Sequence, residues 1–358
     1  MLRVDNFSAG PCTLPDAVLQ ELAEELPEIN SSGMSIIEIS HRSADYSEVH
    51  EETKELIVSL ANVPDDFEVL LLQGGATLQF AMAAQNLDVA NRSIGYIVTG
   101  AWGQKAFADA NQLGQASVIW DGATTENRRG PTPEELDISD SPDFIHLTTN
   151  ETIHGVSLPT LPQTAHRVVA DMSSDFLTRN IDWDTIAIAY AGAQKSLGPA
   201  GLCVAIVHSS VIDEAPELPT YLSYAKHAKG KSVANTPPVF SIWGANKMLK
   251  WMKAEGGLEE MKNRTKTKAS AVYSAIDSSE GFYIPRVDPD YRSRTNVVFN
   301  LADENQEQDF LAKCVEQNLM NLKGHRSIGG IRASLYNGLK VSSAQRLAEF
   351  MNDYRKSA

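Results

Sequence analysis

A lysine among small residues, closing an apolar run, is the first feature of this sequence that can do chemistry. It sits in Tyr190-Ala-Gly-Ala-Gln-Lys195-Ser-Leu-Gly198-Pro-Ala-Gly201. Lysine avoids apolar surroundings unless it is paired or has a chemical task. An exposed loop lysine is the plain reading. The chemical reading is a Schiff-base lysine, whose amine is kept neutral and nucleophilic by desolvation or nearby charge. Asp171 closes a second apolar run, Val168-Val-Ala-Asp171. An Asp in that place commonly caps a turn. Ligand sites of open α/β sheets, however, gather outside the carboxyl ends of strands. An acid and an amine at two such ends can hold the two reactive ends of pyridoxal phosphate (PLP): carboxylate on the ring nitrogen, lysine on the aldehyde carbon.

Two further segments suit the same ligand. Gln73-Gly-Gly-Ala76-Thr77 follows an apolar run and opens a helical pattern. Its glycines allow close backbone approach, and a helix N-terminus offers free N–H groups to a phosphate. Simple turn chemistry would explain it equally. In Gly100-Ala-Trp102-Gly103 an aromatic follows the run ending at Val98; it is either a core tryptophan or a ring that stacks on a flat cofactor.

These residues need strands and helices to place them. Strands are expected at Glu68–Leu72, Gly95–Val98, Val118–Trp120, Phe144–Leu147, Arg167–Asp171, Ile186–Tyr190 and Leu202–Val207. Their Val, Ile and Leu content without strict alternation suits strands buried on both faces of a mainly parallel sheet. Pro15–Leu26 aligns Val18, Leu19, Leu22 and Leu26 on one stripe, with Pro15 in the first turn; Tyr46–Leu60 does the same with Val49, Leu56, Ile57 and Leu60. Alternating strands and helices read as an α/β layer fold. Near residue 255 the pattern changes to helices at Trp243–Lys253 and Leu258–Ser279, a strand at Asn296–Leu301, a helix at Glu307–Gln317, a strand near Ile331–Leu335 and a helix from Ser342. That is the pattern of a smaller α+β domain.

The chain has 358 residues and a net charge of −15, enough length for about two domains. The acidic balance argues against nucleic-acid binding, although a cationic pocket can exist within an acidic whole. Cys12, Cys203 and Cys314 lie far apart, so neither a zinc site nor a disulfide framework is expected, and a reducing compartment is. The N-terminus lacks the apolar core of a signal peptide, and no apolar run approaches the roughly 20 residues of a bilayer helix. A soluble, cytoplasmic protein without bound metal is the expectation. No GxGxxG or GxxxxGK[ST] motif is present, His50-Glu-Glu-Thr-Lys54 has Lys where HExxH needs His, and Pro159 spoils a nucleophile elbow at Ser157. Dehydrogenase, kinase, zinc protease and serine hydrolase thus lose their usual sequence support.

Over nearly its full length the chain resembles the class V aminotransferases of PLP fold type I. The resemblance rests on Asn6-Phe-Ser-Ala-Gly-Pro11, His41-Arg42-Ser, Gln73-Gly-Gly-Ala-Thr-Leu-Gln-Phe80, Ala101-Trp102-Gly and Tyr190-Ala-Gly-Ala-Gln-Lys195. It continues in Asn235-Thr236-Pro-Pro238 and Gly324-His325-Arg326-Ser-Ile-Gly-Gly-Ile-Arg332-Ala-Ser-Leu-Tyr-Asn337. It implies a large PLP-binding domain, 16–255, with a mainly parallel seven-stranded sheet, and a small α+β domain made of 1–15 and 256–358. By the resemblance, Lys195 and Asp171 are catalytic. Trp102 stacks on the ring, Thr152 and Gln194 hold the ring oxygen and phosphate region, and Ala76 and Thr77 cradle the phosphate. Asn235 and Thr236 would reach the cofactor of the neighbouring subunit, which implies a homodimer. Ser8 and Arg42 would touch the amino-acid substrate and Arg332 its α-carboxylate, with His41, Arg42, His325 and Arg326 around a distal anion. Thr77 stands where some members carry Arg.

The implied reaction moves an amino group between L-glutamate and 3-phosphohydroxypyruvate, giving O-phospho-L-serine and 2-oxoglutarate in serine biosynthesis. A side activity on 4-phosphohydroxythreonine in pyridoxine biosynthesis is also implied. Arg forks suit both carboxylate and phosphate, as such a site requires. The alternatives are a serine–glyoxylate or serine–pyruvate type relative, a cysteine desulfurase (disfavoured because Cys314 falls in an expected helix), or a non-catalytic binding protein on the same fold.

Overall fold

The computed structural model describes residues 3–136, 138, 141–162 and 166–357. All seven apolar runs of the first two thirds become strands of one sheet. A two-residue strand β1 (Asp5–Asn6) stands apart from it and pairs in parallel with β11 (Leu319–Met320). The sheet itself comprises β2 (Phe67–Gln73), β3 (Ile94–Val98), β4 (Ala116–Asp121), β5 (Phe144–Thr148), β6 (Arg167–Asp171), β7 (Ile186–Gly192) and β8 (Leu202–His208). Their spatial order is β2-β8-β7-β6-β5-β3-β4, and β8 alone runs against the rest.

Burial on both faces explains why the strands lack a hydrophobic–polar alternation. Val69 and Leu71 of β2 join one core while Leu70 and Leu72 join the other. The first core includes residues of α1 (Asp16–Glu25), α2 (Ala44–Ala61) and α8 (Val239–Ala254). The second is covered by α3 (Ala76–Asn86), α4 (Ala101–Leu113), the single turn α6 (Ser209–Asp213) and α7 (Tyr224–Lys229). The one-turn helix α5 (Ala193–Ser196) follows β7 directly.

Helix boundaries fall where capping chemistry places them. Ser43 Oγ accepts from Tyr46 N at the start of α2, a normal N-cap bond. Pro15 takes the N-cap position of α1 and Asp16 the first turn, one residue later than the periodicity suggests. Leu19, expected on the buried stripe, is 39 % exposed. Val18 and Leu22, four residues apart on one helix face, are the buried members of α1.

A third core occupies the C-terminal region. The antiparallel strands β9 (Tyr283–Pro285), β10 (Asn296–Leu301) and β12 (Ile331–Ser334) form its sheet. Helices α9 (Gly257–Asp277), α10 (Glu307–Glu316) and α11 (Val341–Ser357) contribute Val272, Phe310, Leu347 and Met351, and Phe7 joins them from the N-terminus. Buried amides tie this region to the main sheet: Asn150 Nδ2 donates to Asn296 Oδ1 at 2.9 Å, and Asn296 Nδ2 donates to Ser334 Oγ and Tyr336 Oη. Buried amides with partners of fixed geometry are orienting contacts. They set β10 and β12 against the carboxyl end of β5. Among the described residues no helix is long and apolar enough to cross a membrane.

Candidate active site

Three neighbouring parallel strands, β3, β5 and β6, and the adjacent β7 each deliver chemistry just past their carboxyl ends. Trp102 lies in the first turn of α4 after β3, Glu151 and Thr152 follow β5, Asp171 is the last residue of β6, and Lys195 sits in α5 after β7. Convergence of strand ends at one edge is where such sheets bind ligands.

Lys195 is held by the turn that follows it. Gly198 has φ +153°, and a Cβ there would lie 3.1 Å from the Ala245 backbone, so α8 passes too close for a side chain. The Lys195 Nζ donates to Thr152 Oγ1 at 2.7 Å and lies 5.5 Å from the Trp102 ring centroid. Burial lowers the proton affinity of the amine, opposed by Asp171 and Glu151 and reinforced by Arg332. A lysine so placed reaches the neutral, nucleophilic form more easily than one in water.

Asp171 is 4 % exposed. Its Oδ1 accepts from Ser173 N at 2.9 Å and from Ser173 Oγ at 2.6 Å, while Oδ2 accepts no hydrogen bond among the described residues. Burial raises its pKa, against the charge of Lys195 and the two Ser173 bonds. A cationic N–H brought to Oδ2 would satisfy that oxygen and favour the ionised form. The Trp102 Nε1 likewise has no partner among the described residues.

Glycine N-caps leave the phosphate end open. Gly75 precedes α3 with no side-chain cap, and the N–H groups of Ala76 and Thr77 have no partner among the described residues. Phe80 of α3 and Trp102 of α4 lie 6.5 Å apart, ring to ring, so the two helices start side by side. A helix N-terminus with free N–H groups is an anion cradle. Together these groups fit a flat ring with a cationic nitrogen, a carbonyl carbon near Lys195 and a phosphate. PLP has all three.

The opposite wall is cationic. Arg332 Nη1 donates to the Thr152 carbonyl at 3.2 Å, so it meets the residue that holds Lys195. His325 accepts from Ser327 N at Nδ1, which leaves Nε2 as its N–H. Burial and the charges of Arg332, Arg326 and Lys105 lower its pKa. Gly10 packs on Gln194 and Lys195, since a Cβ there would stand 3.5 Å and 3.7 Å from their side-chain carbons. That sets Gly10, two residues after Ser8, against the stem of Lys195.

Other expected residues stand apart within one chain. Arg42 is exposed and His41 half-buried, and neither side chain forms a hydrogen bond with the Lys195 cluster. Asn235 Nδ2 bonds Gln73 Oε1 at 3.4 Å and the Thr236 carbonyl at 3.2 Å, and Thr236 is exposed. Sequence reasoning missed Ser173, Glu151 and His154. The signal was present: Asn150-Glu-Thr-Ile-His154 is a polar, titratable run directly after an apolar strand.

The aminotransferase class V family model matches residues 4–347. The chain belongs to the class V aminotransferase family. This aminotransferase is 41 % identical, over 99 % of both chains, to the phosphoserine aminotransferase of Geobacillus kaustophilus. The solved phosphoserine aminotransferase from Bacillus circulans subsp. alkalophilus superposes with a TM-score of 0.96 at 40 % identity, covering 99 % of each chain. A PLP-bound phosphoserine aminotransferase from Trichomonas vaginalis superposes at 0.92 with 33 % identity, covering 98 % of this chain and 99 % of the other. The fold is that of PLP-dependent aminotransferases, with its mostly parallel seven-stranded sheet.

Proposed function

We propose that this aminotransferase is a PLP-dependent phosphoserine aminotransferase, interconverting L-glutamate plus 3-phosphohydroxypyruvate and 2-oxoglutarate plus O-phospho-L-serine. One observation carries the reading: Thr152 receives the Lys195 amine on its hydroxyl and the Arg332 guanidinium on its carbonyl. An amine nucleophile and a carboxylate grip are thereby fixed on one residue. Full-length identity to phosphoserine aminotransferases supports it.

When bound, PLP supplies the carbonyl carbon that carries the amino group and a ring that withdraws electrons. The chain's own residues do the rest. Asp171 Oδ2 holds the proton of the ring nitrogen, and the Trp102 ring sets the plane. Ala76 and Thr77 N–H bind the phosphate, while Thr152 and Gln194 orient the ring oxygen and phosphate end. Lys195 Nζ would hold the carbonyl end until the substrate amine displaces it, and the freed amine would then take the proton from the substrate α-carbon as general base. Arg332 binds the α-carboxylate, Ser8 and Arg42 contact the amino acid, and His41, Arg42, His325 and Arg326 surround the distal carboxylate or phosphate.

The reading includes a homodimer in which the partner subunit's Asn235 and Thr236 reach the phosphate. Asn235 and Thr236 have no role in the Lys195 cluster of their own chain, which favours this. It also includes a large domain, 16–255, a small domain of 1–15 and 256–358, a cytoplasmic location, and a side activity on 4-phosphohydroxythreonine.

Half-reaction spectroscopy tests the substrate. PLP-loaded protein mixed with O-phospho-L-serine should lose its visible absorbance at least about 100-fold more efficiently than with L-serine. Leaving the distal cations unpaired costs on the order of 3 kcal/mol. Equal or better use of serine would overturn the substrate assignment.

A further inference from the structure

Glu151 has no place in the reaction just described, yet it sits at the centre of the site. It is fully buried. Its Oε1 accepts from Trp102 N and Gly103 N, both at 2.9 Å, so it caps the helix that carries the ring-facing tryptophan. The next residue along the chain holds Lys195. The loop is rigid at this point, with Glu151 N bonded to the Val156 carbonyl at 2.7 Å and Gly155 N to the Glu151 carbonyl at 2.8 Å.

The second oxygen is the informative one. Among the described residues, Glu151 Oε2 is buried without a partner, and so is His154 Nδ1. The two groups flank the same side of Gly100: a Cβ there would lie 2.5 Å from His154 Nδ1 and 2.8 Å from Glu151 Cδ. A neutral imidazole carries one N–H, so the pair can be satisfied by an acid donating from Oε2 to an Nδ1 lone pair or by Nδ1–H donating to an ionised Oε2. With a proton on Oε2, the acid accepts two N–H bonds at Oε1 and can donate to Nδ1 after a small side-chain rotation, leaving none of the four groups unpaired. The ionised alternative places a full charge at a side chain that is 0 % exposed and forms no ion pair among the described residues, with the Lys195 amine bonded to Thr152 instead, which is the costlier arrangement.

We propose that Glu151 is a positioning residue of the transfer reaction: as a neutral carboxylic acid it ties Trp102 to the loop that holds Lys195, with its Oε2 proton directed at His154 Nδ1. The surrounding charges agree. Burial pushes Glu151 up to about 7, helped by Asp171 at the end of β6 and opposed by the two N–H groups of α4 and by Lys195 of α5. His154 is pulled down to about 4 by burial, by Arg286 after β9 and by His325 before β12, so its ring is neutral at neutral pH and can accept at Nδ1. Arg332 acts on Lys195 and His325 rather than on Glu151 itself. The opposing reading makes Glu151 an ionised counter-charge to Lys195.

Glu151→Gln separates the two, because glutamine reproduces the neutral acid: one oxygen acceptor for the α4 N–H groups and one N–H donor for His154. Cofactor-free protein, wild type and variant, is titrated with PLP while tryptophan fluorescence and thermal melting are followed. The Trp102 signal is isolated by difference from Trp102→Phe. The expected result is PLP affinity in Glu151→Gln within about threefold of wild type, against a loss of about tenfold or more in Glu151→Ala. A fluorescence transition with a midpoint near pH 7 in wild type should be absent from Glu151→Gln. A Gln variant that melts like wild type yet loses as much affinity as the Ala variant, or that keeps the transition, overturns the proposal. The role rests on the aminotransferase reading: wild-type protein that binds no PLP defeats both, whereas intact wild-type binding with a failed Gln variant defeats the Glu151 role alone.

Discussion

Lys195→Ala is expected to lower the turnover number for amino-group transfer by about 10⁴-fold or more. The substitution removes two functions of one atom, the anchor for the carbonyl carbon and the base that moves the α-proton, and general-base catalysis alone contributes about 10²–10⁴-fold. The fold should not suffer. The amine is desolvated at a cost that only Thr152 and nearby carboxylates offset, so its removal is expected to leave the melting temperature unchanged or higher, as is common where activity rests on a strained site. Steady-state turnover and a thermal melt on the same preparation check both halves. A variant keeping a tenth of wild-type turnover would mean that Lys195 is not the base.

Asp171→Asn should be the next most damaging change. Asparagine keeps the Oδ1 acceptor for both Ser173 bonds, so geometry survives and charge alone is lost. Breaking a buried charge pair from one side costs about 3–5 kcal/mol, which at 1.36 kcal/mol per tenfold predicts a fall in turnover of about 10²- to 5 × 10³-fold. A cofactor analogue methylated on its ring nitrogen carries its positive charge permanently and should restore part of the loss in Asp171→Asn. Unchanged turnover in the variant, or no rescue by the analogue, would count against a carboxylate–pyridinium contact.

Much of this site was legible before the fold was in hand, because strand ends are easy to read. Runs such as Val168-Val-Ala170 and Ile186–Tyr190 are too apolar to be anything but interior, so Asp171 at the end of the first and Lys195 past the second emerge at the sheet's edge. The common edge itself follows from parallel pairing of β5, β6 and β7. What could not be read was which polar residues on different strands would meet. The Thr152 hydroxyl and the Lys195 amine are far apart in sequence, and their contact depends on the register of β5 through β7. Ser173 carries no signal of its own in the sequence, since a serine two residues past a strand-end Asp suits an ordinary turn. Leu19 shows the limit of helical periodicity, since a stripe on paper is wider than the face α8 covers. His41, Arg42, Asn235 and Thr236 owe their assignment to family resemblance, and one chain places none of them on Lys195.

The stacking residue illustrates how neighbouring strand ends combine. Trp102 could have been an ordinary core aromatic, yet its indole N–H finds no partner among the described residues and its backbone is pinned by a carboxylate from the loop after the neighbouring strand. A side chain held by its main chain while its ring faces the amine at 5.5 Å is set for a flat ligand.

The central claim is that Lys195, and no other lysine, carries the cofactor. Borohydride reduction of the PLP-loaded protein, followed by proteolysis and peptide mass mapping, tests it directly. A phosphopyridoxyl mass on the peptide containing Lys195 is the predicted result; that mass on a different lysine, or on none after saturation with PLP, would contradict the account.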